Sequence, residues 1–401
     1  MPPCWAGPQP VRLTSMMTSG PACWSRCWSA PAQVGSVTSF WRHSAPCSSA
    51  GWPPSSRACT GSARRRSTNT CTPWRRRSVS GCRPMSELTP GVPMRILVSR
   101  AGFPHVPTML AEALPEVVVT QCTVAELTAA VRDADVLVPL LAPVTGQVLA
   151  NGQRLRLVQQ WGSGLDRVDL EAARELGVPV SAVDTSATGS AAAVAEWCMM
   201  AAIALGRNVP TVSATFPAGS AWGSPLGATL HGSAALVIGM GAVGRALCPL
   251  LQVLGARVMA VSASYRGELP GVDGHGYDDL VESVGQADWV FICLRRPMQP
   301  PILGERELRS MKPGAFLVNA ARGHLVDEGA LEHALRTGHL GGAALDVFRH
   351  EPMTGAESLL TAPNLLASPH VAGVVDAVER RVAALVRANI RRVGRHQAVW
   401  T

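Results

Sequence analysis

Three features of the sequence predict an α/β chain of two doubly wound parallel-sheet domains, with a cleft between them. From Met94 onward, short apolar runs of strand length alternate with segments of helical period. One run, Ala234-Ala235-Leu236-Val237-Ile238, breaks directly into Gly239-Met240-Gly241-Ala242-Val243-Gly244 and continues with helical spacing. A second alternating series precedes it. A flavodoxin-like domain followed by a Rossmann dinucleotide-binding domain accounts for all three.

The first series predicts strands at 94–99, 117–120, 136–140, 155–160 and 178–183. Helices are expected at 108–114, near 124–131, where Val124, Leu127 and Val131 share a face, and from Asp169 to a C-cap at Gly177. A helix over 191–205 then leads to a loop over 210–231. The second series predicts six strands: 234–238, 257–261, 287–293, 315–319, 342–347 and 365–368. The last helix, 376–393, carries Val378, Val382, Leu385, Val386 and Val393 on one side, Arg on the other, and Gly394 as its terminator. It is expected to pack back on the first series. The substrate domain would then be discontinuous, 94–190 plus 374–401, around a dinucleotide-binding domain of 191–373.

At 401 residues the chain is long enough for two or three domains. Its charge is unevenly placed. Of 36 basic and 28 acidic residues, eleven Arg and no acid fall in 1–84, which leaves 25 basic against 28 acidic beyond it. The excess of positive charge therefore belongs to the first stretch and gives no reason to expect a nucleic-acid partner. That stretch also holds seven of the eleven Cys and six of the eleven Trp, without a sustained period. Its Arg, Ser and lack of acids suit a transit peptide, but no amphipathic helix is visible. It has no Cys-x-x-Cys pair for zinc and no secretory signal that would accompany disulfides. A single Lys, Lys312, against thirty-five Arg suggests a GC-rich coding sequence. In that setting an over-extended start, with the folded protein opening at Met85 or Met94 and 1–84 disordered or absent, is the simpler expectation. The longest apolar stretch, 191–205, contains Glu196 and is shorter than the ~18 residues a membrane span needs. Cys122, Cys198, Cys248 and Cys293 sit in apolar contexts, as buried free thiols in the cytoplasm would. No metal site is expected.

Each glycine of the loop has its own task in a dinucleotide site. Gly239 permits the tight turn, Gly241 lets backbone approach a pyrophosphate, and Gly244 lets helix pack on strand. The helix N-terminus offers free N–H groups and the positive end of its dipole. A glycine-rich turn alone would need neither the strand before nor the helix after.

Three later motifs, in order, make a family resemblance specific. They are Val318-Asn319-Ala320-Ala321-Arg322-Gly323-His324-Leu325-Val326-Asp327-Glu328, Gly342-Ala343-Ala344-Leu345-Asp346-Val347-Phe348-Arg349-His350-Glu351-Pro352, and Ser368-Pro369-His370-Val371-Ala372-Gly373. With the glycine loop upstream they resemble the D-isomer-specific 2-hydroxyacid dehydrogenases, over about 94–393. The resemblance implies catalytic roles for Arg322, Glu351 and His370. It implies a substrate-carboxylate loop at Gly162, Ser163 and Gly164, within Trp161–Asp169. It also implies cofactor contacts from Gly239, Met240, Gly241, Ala242, Val243, Gly244, Leu294, Ala320 and Asp346, and a homodimer.

The residue types suit that chemistry independently of the family. Reducing a 2-oxo acid needs a cation for its carboxylate, a proton for its carbonyl oxygen, and a hydride. Arg322 stays charged and can bind a carboxylate bidentately. His370 can exchange a proton near neutral pH, and Glu351 would favour its protonated form and orient the ring. Singly, each has a plainer alternative: Arg322 on strand-end carbonyls, His370 capping a turn, Glu351 solvated. Asp166 or Asp169 could simply cap the helix after the Gly-Ser-Gly loop, and Asp346 could cap a strand end.

The chain departs from the family pattern in three respects. The acid expected ~20 residues past the glycine loop, which binds the ribose 2′-hydroxyl, is replaced by Ser262 with Arg266 nearby. That suits a 2′-phosphate, as in NADPH-preferring glyoxylate and hydroxypyruvate reductases, so NADP is expected over NAD. The usual Leu-Pro-x-Thr becomes Leu294-Arg295-Arg296-Pro297, and Ser190 and Trp197 stand where Asn and His are common. A formate dehydrogenase is disfavoured, because Glu351 stands where those enzymes have Gln. The remaining alternative is a non-catalytic NAD(H)-sensing adaptor of the same fold. The expected substrate is a small 2-oxo acid, whose side-chain pocket would draw on the loops 100–106 and 161–165.

Overall fold

The computed structural model describes residues 93–216, 219, 222–265, 267–294, 300–395 and 397. The stretch 1–84 and the residues Arg266, Arg295 and Arg296 lie outside them.

The first series folds as β1 (Arg95–Ser99), α1 (Val106–Ala113), β2 (Val118–Cys122), α2 (Leu127–Ala130), β3 (Val136–Val138), α3 (Gly146–Asn151), β4 (Leu157–Gln159), α4 (Leu170–Glu175) and β5 (Val180–Ser181). The five strands are parallel, in the order β2-β1-β3-β4-β5. Strands covered on both faces read as unbroken apolar runs, as β3 does with all three residues buried. Side-chain caps set the helix starts: Asp169 accepts from the Ala172 amide at 3.0 Å and Thr145 from that of Val148 at 3.4 Å. Beyond α4, Gly177 takes the left-handed φ of +68° that lets the chain leave the helix.

The helices α5 (Thr185–Thr188), α6 (Ser190–Gly206) and α7 (Val209–Thr215) lead to the second series. It continues β6 (Ala234–Ile238), α8 (Ala242–Val253), β7 (Arg257–Val261), β8 (Val272–His275), α9 (Leu280–Gln286), β9 (Trp289–Ile292), α10 (Glu305–Ser310), β10 (Phe316–Asn319), α11 (Glu328–Arg336), β11 (Gly342–Leu345), β12 (Leu365–Ala367) and α12 (Asp376–Gly394). Its seven-stranded parallel sheet runs β12-β11-β10-β9-β6-β7-β8. Strand order reverses between β6 and β9, where Ile238 lies level with both Val261 and Ile292. A crevice opens at the carboxyl ends of strands at such a switch point, and the glycine loop occupies it.

The structure corrects the sequence expectation in four places. The second sheet has seven strands rather than six, because β8, Val-Asp-Gly-His, has no apolar run and pairs at one edge with β7 alone. The expected loop over 210–231 begins with α7, whose residues are all partly or fully exposed and show no buried face. The helix near 124–131 shortens to α2 followed by a 3-10 turn at Val131–Asp133. Gly394 ends no helix by itself: α12 runs through it to a cap at Arg395.

Packing follows the apolar faces. Val378, Val382, Val386, Ile390 and Val393 of α12 bury against Ile96, Val98, Val136, Val138 and Leu157 of the first sheet. Arg156 donates to the Val393 carbonyl at 2.8 Å and secures the end of the helix. Truncating a fully buried side chain such as Ile390 to Ala costs about 2–5 kcal/mol. On the second sheet, Trp289 stacks on Phe316 at 4.3 Å, and the small residues Ala195, Ala201 and Ala202 of α6 bury in the same cluster. No described helix is long and apolar enough to cross a membrane. The four described cysteines are free and buried, and burial pushes the Cys198 thiol up to about 12 and that of Cys248 to about 11.

Candidate active site

The glycine loop has the form a dinucleotide pyrophosphate requires. Gly239 has φ +101°, and a Cβ there would lie 2.8 Å from the backbone of Leu294, so only glycine fits. Gly244 sits against the Gly239 carbonyl and Val237, which explains the close packing of α8 on β6. Gly241 faces open space within 4 Å, and α8 starts behind it without a side-chain cap. The first-turn amides, flanked by Ala242 and Val243, are therefore presented to a ligand phosphate. The residues present fit NAD or NADP.

At the end of β7, Ser262 is buried; its amide donates to the His275 carbonyl at 3.1 Å and its hydroxyl accepts from the Ser264 amide at 3.4 Å. Arg245, which the sequence analysis did not single out, donates from Nε to the Met240 carbonyl at 3.1 Å. Its guanidinium lies 5.8 Å from the Tyr265 ring and 3.3 Å from Glu268. Its position immediately after Gly244 is the signal that could have found it.

On the far side, β10 and β11 deliver the polar groups. The Asn319 amide side chain accepts from the Ala321 amide and donates to the Arg322 carbonyl, each at 3.0 Å, which shapes the turn carrying Arg322. Gly323 is pressed against the backbone of Phe348 and Arg349, bringing the Arg322 turn against the segment that leads to Glu351. Arg322 donates from Nε to Asp166 Oδ2 at 2.7 Å and from Nη1 to the Ala321 carbonyl at 2.7 Å. Glu351 accepts from the Phe348 amide at 3.0 Å on one oxygen and faces His370 Nδ1 at 3.1 Å with the other. Burial alone would raise the Glu351 carboxyl, but the His370 hydrogen bond and charge, the Phe348 amide and Arg167 outweigh it and hold the group below its ordinary value.

Asp346 is 1% exposed, and both its oxygens are engaged. One accepts from the Val371 amide at 2.7 Å and from the Ser368 hydroxyl, the other from the Ala372 amide at 2.8 Å. Its carbonyl accepts from the His370 amide at 2.8 Å. Asp346 thus organises the loop that presents His370, whose φ of +58° this network holds. Burial pushes its carboxyl up despite those donors. Phe103, also at positive φ, meets the His370 ring edge-on at 6.0 Å from the loop after β1.

The Gly-Ser-Gly loop follows β4. Gly164 lies directly beneath the Arg322 Nη2, so this loop and the arginine are neighbours, while Gly162 faces open space. Ser163 is half-buried between them. Of the two candidate caps, Asp169 caps α4, whereas Asp166 pairs with Arg322 instead. Arg167 bridges to Glu351, with Nη2 3.7 Å from Oε2. Ala320 is half-buried at the end of β10, and Leu294 lies buried beside Gly239. Ser190 begins α6 with its hydroxyl 3.2 Å from that of Thr188, and Trp197 packs, partly buried, against the core of the second sheet. Among the described residues, no group of three or more His, Cys, Asp or Glu could hold a metal ion.

Residues 199–372 match the family described as D-isomer specific 2-hydroxyacid dehydrogenase, NAD binding domain. Over 270 residues the chain is 33% identical to a glyoxylate reductase of Thermococcus gammatolerans, covering 65% of this chain and 80% of that one. The chain belongs to the D-isomer specific 2-hydroxyacid dehydrogenase family. It is also 34% identical over 284 residues to a D-3-phosphoglycerate dehydrogenase of Methanocaldococcus jannaschii, covering 69% of this chain and 53% of that one. It thus spans about half the length of the phosphoglycerate dehydrogenases of the family that it matches. Among solved structures, it superposes on a Thermus thermophilus protein with TM-score 0.67 and 30% identity, over 76% of this chain and 98% of that one. An NADPH-dependent glyoxylate/hydroxypyruvate reductase of Sinorhizobium meliloti, solved with NADP and malonate, superposes with TM-score 0.65 and 26% identity, over 75% and 93%. The two parallel sheets are those of this dehydrogenase family, and the second carries its NAD-binding domain.

Proposed function

We propose that the chain is a reductase of small 2-oxo acids, of glyoxylate or hydroxypyruvate size, that prefers NADPH to NADH. What carries this is the convergence of Arg322 with the Glu351–His370 pair, joined at 3.1 Å, on the same end of the second sheet as the glycine loop. Arg322 and the amides around Gly162, Ser163 and Gly164 hold the substrate carboxylate, because a permanent cation and close backbone donors suit that group. When bound, the reduced nicotinamide supplies the hydride. Glu351 accepts at His370 Nδ1, which leaves Nε2 to deliver a proton to the carbonyl oxygen. In the reverse direction His370 takes that proton from a 2-hydroxy acid of D configuration.

The NADPH preference is supported by Ser262, a neutral residue at the ribose end where a carboxylate would repel a phosphate, and by Arg245, whose guanidinium lies against Tyr265 and Glu268 of the segment that follows. A second copy of the chain is the expected partner. Met200, Ile203, Phe216, Trp222 and Leu226 expose apolar surface around α6 and α7 that dimerisation would cover. The test is an initial-rate panel of 2-oxo acids with NADPH and NADH. Turnover of glyoxylate or hydroxypyruvate, faster with NADPH, is expected. No turnover with any 2-oxo acid, alongside tight cofactor binding, would favour the sensing adaptor instead.

A further inference from the structure

We infer that Asp166 and Arg167, adjacent on the loop between β4 and α4, form a charge clamp that positions the reaction centre from across the cleft. Asp166 orients Arg322, and Arg167 orients Glu351. This rests on the reductase assignment above. Asp166 Oδ2 receives Arg322 Nε at 2.7 Å. Arg167 Nη1 donates to the Leu141 carbonyl of the first sheet's side at 3.0 Å and reaches the Glu351 carbonyl at 3.5 Å, while Nη2 lies 3.7 Å from Glu351 Oε2.

The two partners come from different loops of the second sheet, one after β10 and one after β11. An acid followed by a base on one side meets a base and an acid on the other. Any shift that exchanged the partners would set Asp166 against Glu351 and Arg167 against Arg322, two like-charge contacts. The clamp thereby selects one seating of the substrate loop on the catalytic residues. In that seating Arg322 is held beside Gly164, where the carboxylate loop needs it.

Arg167 has a second effect, because Glu351 Oε2 faces both its guanidinium and His370 Nδ1. The charged groups at His370 are Glu351, the Asp346 carboxylate under its loop, and Arg167 beyond Glu351. From the loop after β1 it meets the Phe103 ring, with His105 behind that ring at 6.2 Å. Arg167 and His370 therefore share one carboxylate oxygen, and removing Arg167 leaves that oxygen to His370 alone.

The test uses Arg167→Gln, Arg167→Lys and Asp166→Asn in the full chain. His370 is titrated by NMR through its ring resonance, kcat and KM are measured against pH, and oxalate affinity is measured by tryptophan fluorescence. In Arg167→Gln, the His370 midpoint and the basic limb of kcat/KM for reduction are expected to rise together by about half a pH unit or more. Arg167→Lys keeps the cation and is expected to titrate as wild type. Asp166→Asn is expected to leave the midpoint in place while weakening oxalate and raising KM by about tenfold, with a smaller change in kcat. If folded Arg167→Gln titrates like wild type, or if the Gln and Lys variants behave alike, the Arg167 half of the clamp is overturned. Unchanged oxalate binding in Asp166→Asn overturns the other half. The NMR and oxalate readouts need no turnover, so an inactive wild type with shifted variants would sink the reductase assignment and leave the clamp standing.

Discussion

Replacing Gly164 by alanine tests the substrate anchor with one methyl group. The backbone at Gly164 is outside the left-handed region, so alanine itself is tolerated there. The added methyl, however, would stand inside contact distance of Arg322 Nη2 and 3.1 Å from Asp166 Oδ2. The guanidinium is the movable party and has to swing away, breaking its 2.7 Å bond to Asp166 and leaving the carboxylate position. A hydrogen bond to a charged group is worth about 1.5–3 kcal/mol, so kcat/KM should fall by about 10- to 150-fold. Stability should hardly move. The shorter list of unfolded conformations contributes about 0.4–1 kcal/mol, and loss of a partly exposed ion pair removes a similar amount. Initial rates across 2-oxo acid concentration at saturating NADPH, with a melting curve and an NADPH titration as controls, decide it. A value of kcat/KM within about threefold of wild type, with normal melting, would show that Arg322 does not anchor the substrate from this position.

Other outcomes follow from the same geometry. His370→Ala should lower turnover by roughly 10²–10⁴ while NADPH still binds, and a loss of less than tenfold would remove His370 from proton transfer. Ser262→Asp should erase or reverse the NADPH preference, measured as the ratio of kcat/KM for the two cofactors; an unchanged ratio would place the phosphate contact elsewhere. Gly239→Ala forces φ +101° on a residue with a side chain and drives it into the Leu294 backbone, so melting should drop by an amount equivalent to about 2–4 kcal/mol. Glu351 is held below its usual 4.5, so its contribution to stability is complete above that value and is lost as pH falls through the lower folded one. Glu351→Gln should accordingly flatten that part of the melting-temperature profile on the acid side, and an unaltered profile would argue against the depressed carboxyl.

Much of the fold was legible because parallel strands are buried on both faces and so announce themselves as apolar runs. The glycine loop was legible for a related reason: Gly239 and Gly244 each answer a backbone requirement that no other residue meets, and Gly241 between them leaves the space in front of the helix open. The places that failed are those where side chains report nothing about burial. Strand β8 is a polar edge whose formation depends on the neighbouring β7 rather than on its own residues. Helix α7 shows no buried face, so no apolar period marks it.

The chain's residues by themselves determined the two α/β series and the dinucleotide turn, and pointed to Arg322, Glu351 and His370 as candidates. They did not reveal that Asp346 binds the loop of His370 with both oxygens, because that needs the ends of β11 and β12 side by side. Nor did they separate Asp166 from Asp169, two acids three residues apart with equal claims to a helix cap. Only tertiary structure decided that Asp169 caps α4 while Asp166 reaches Arg322, 156 positions along the chain. The physical reason is range. Turns, caps and buried strands are settled by neighbours within a few residues and leave local patterns, whereas a charge pair across a cleft depends on where two sheets bring their loops together.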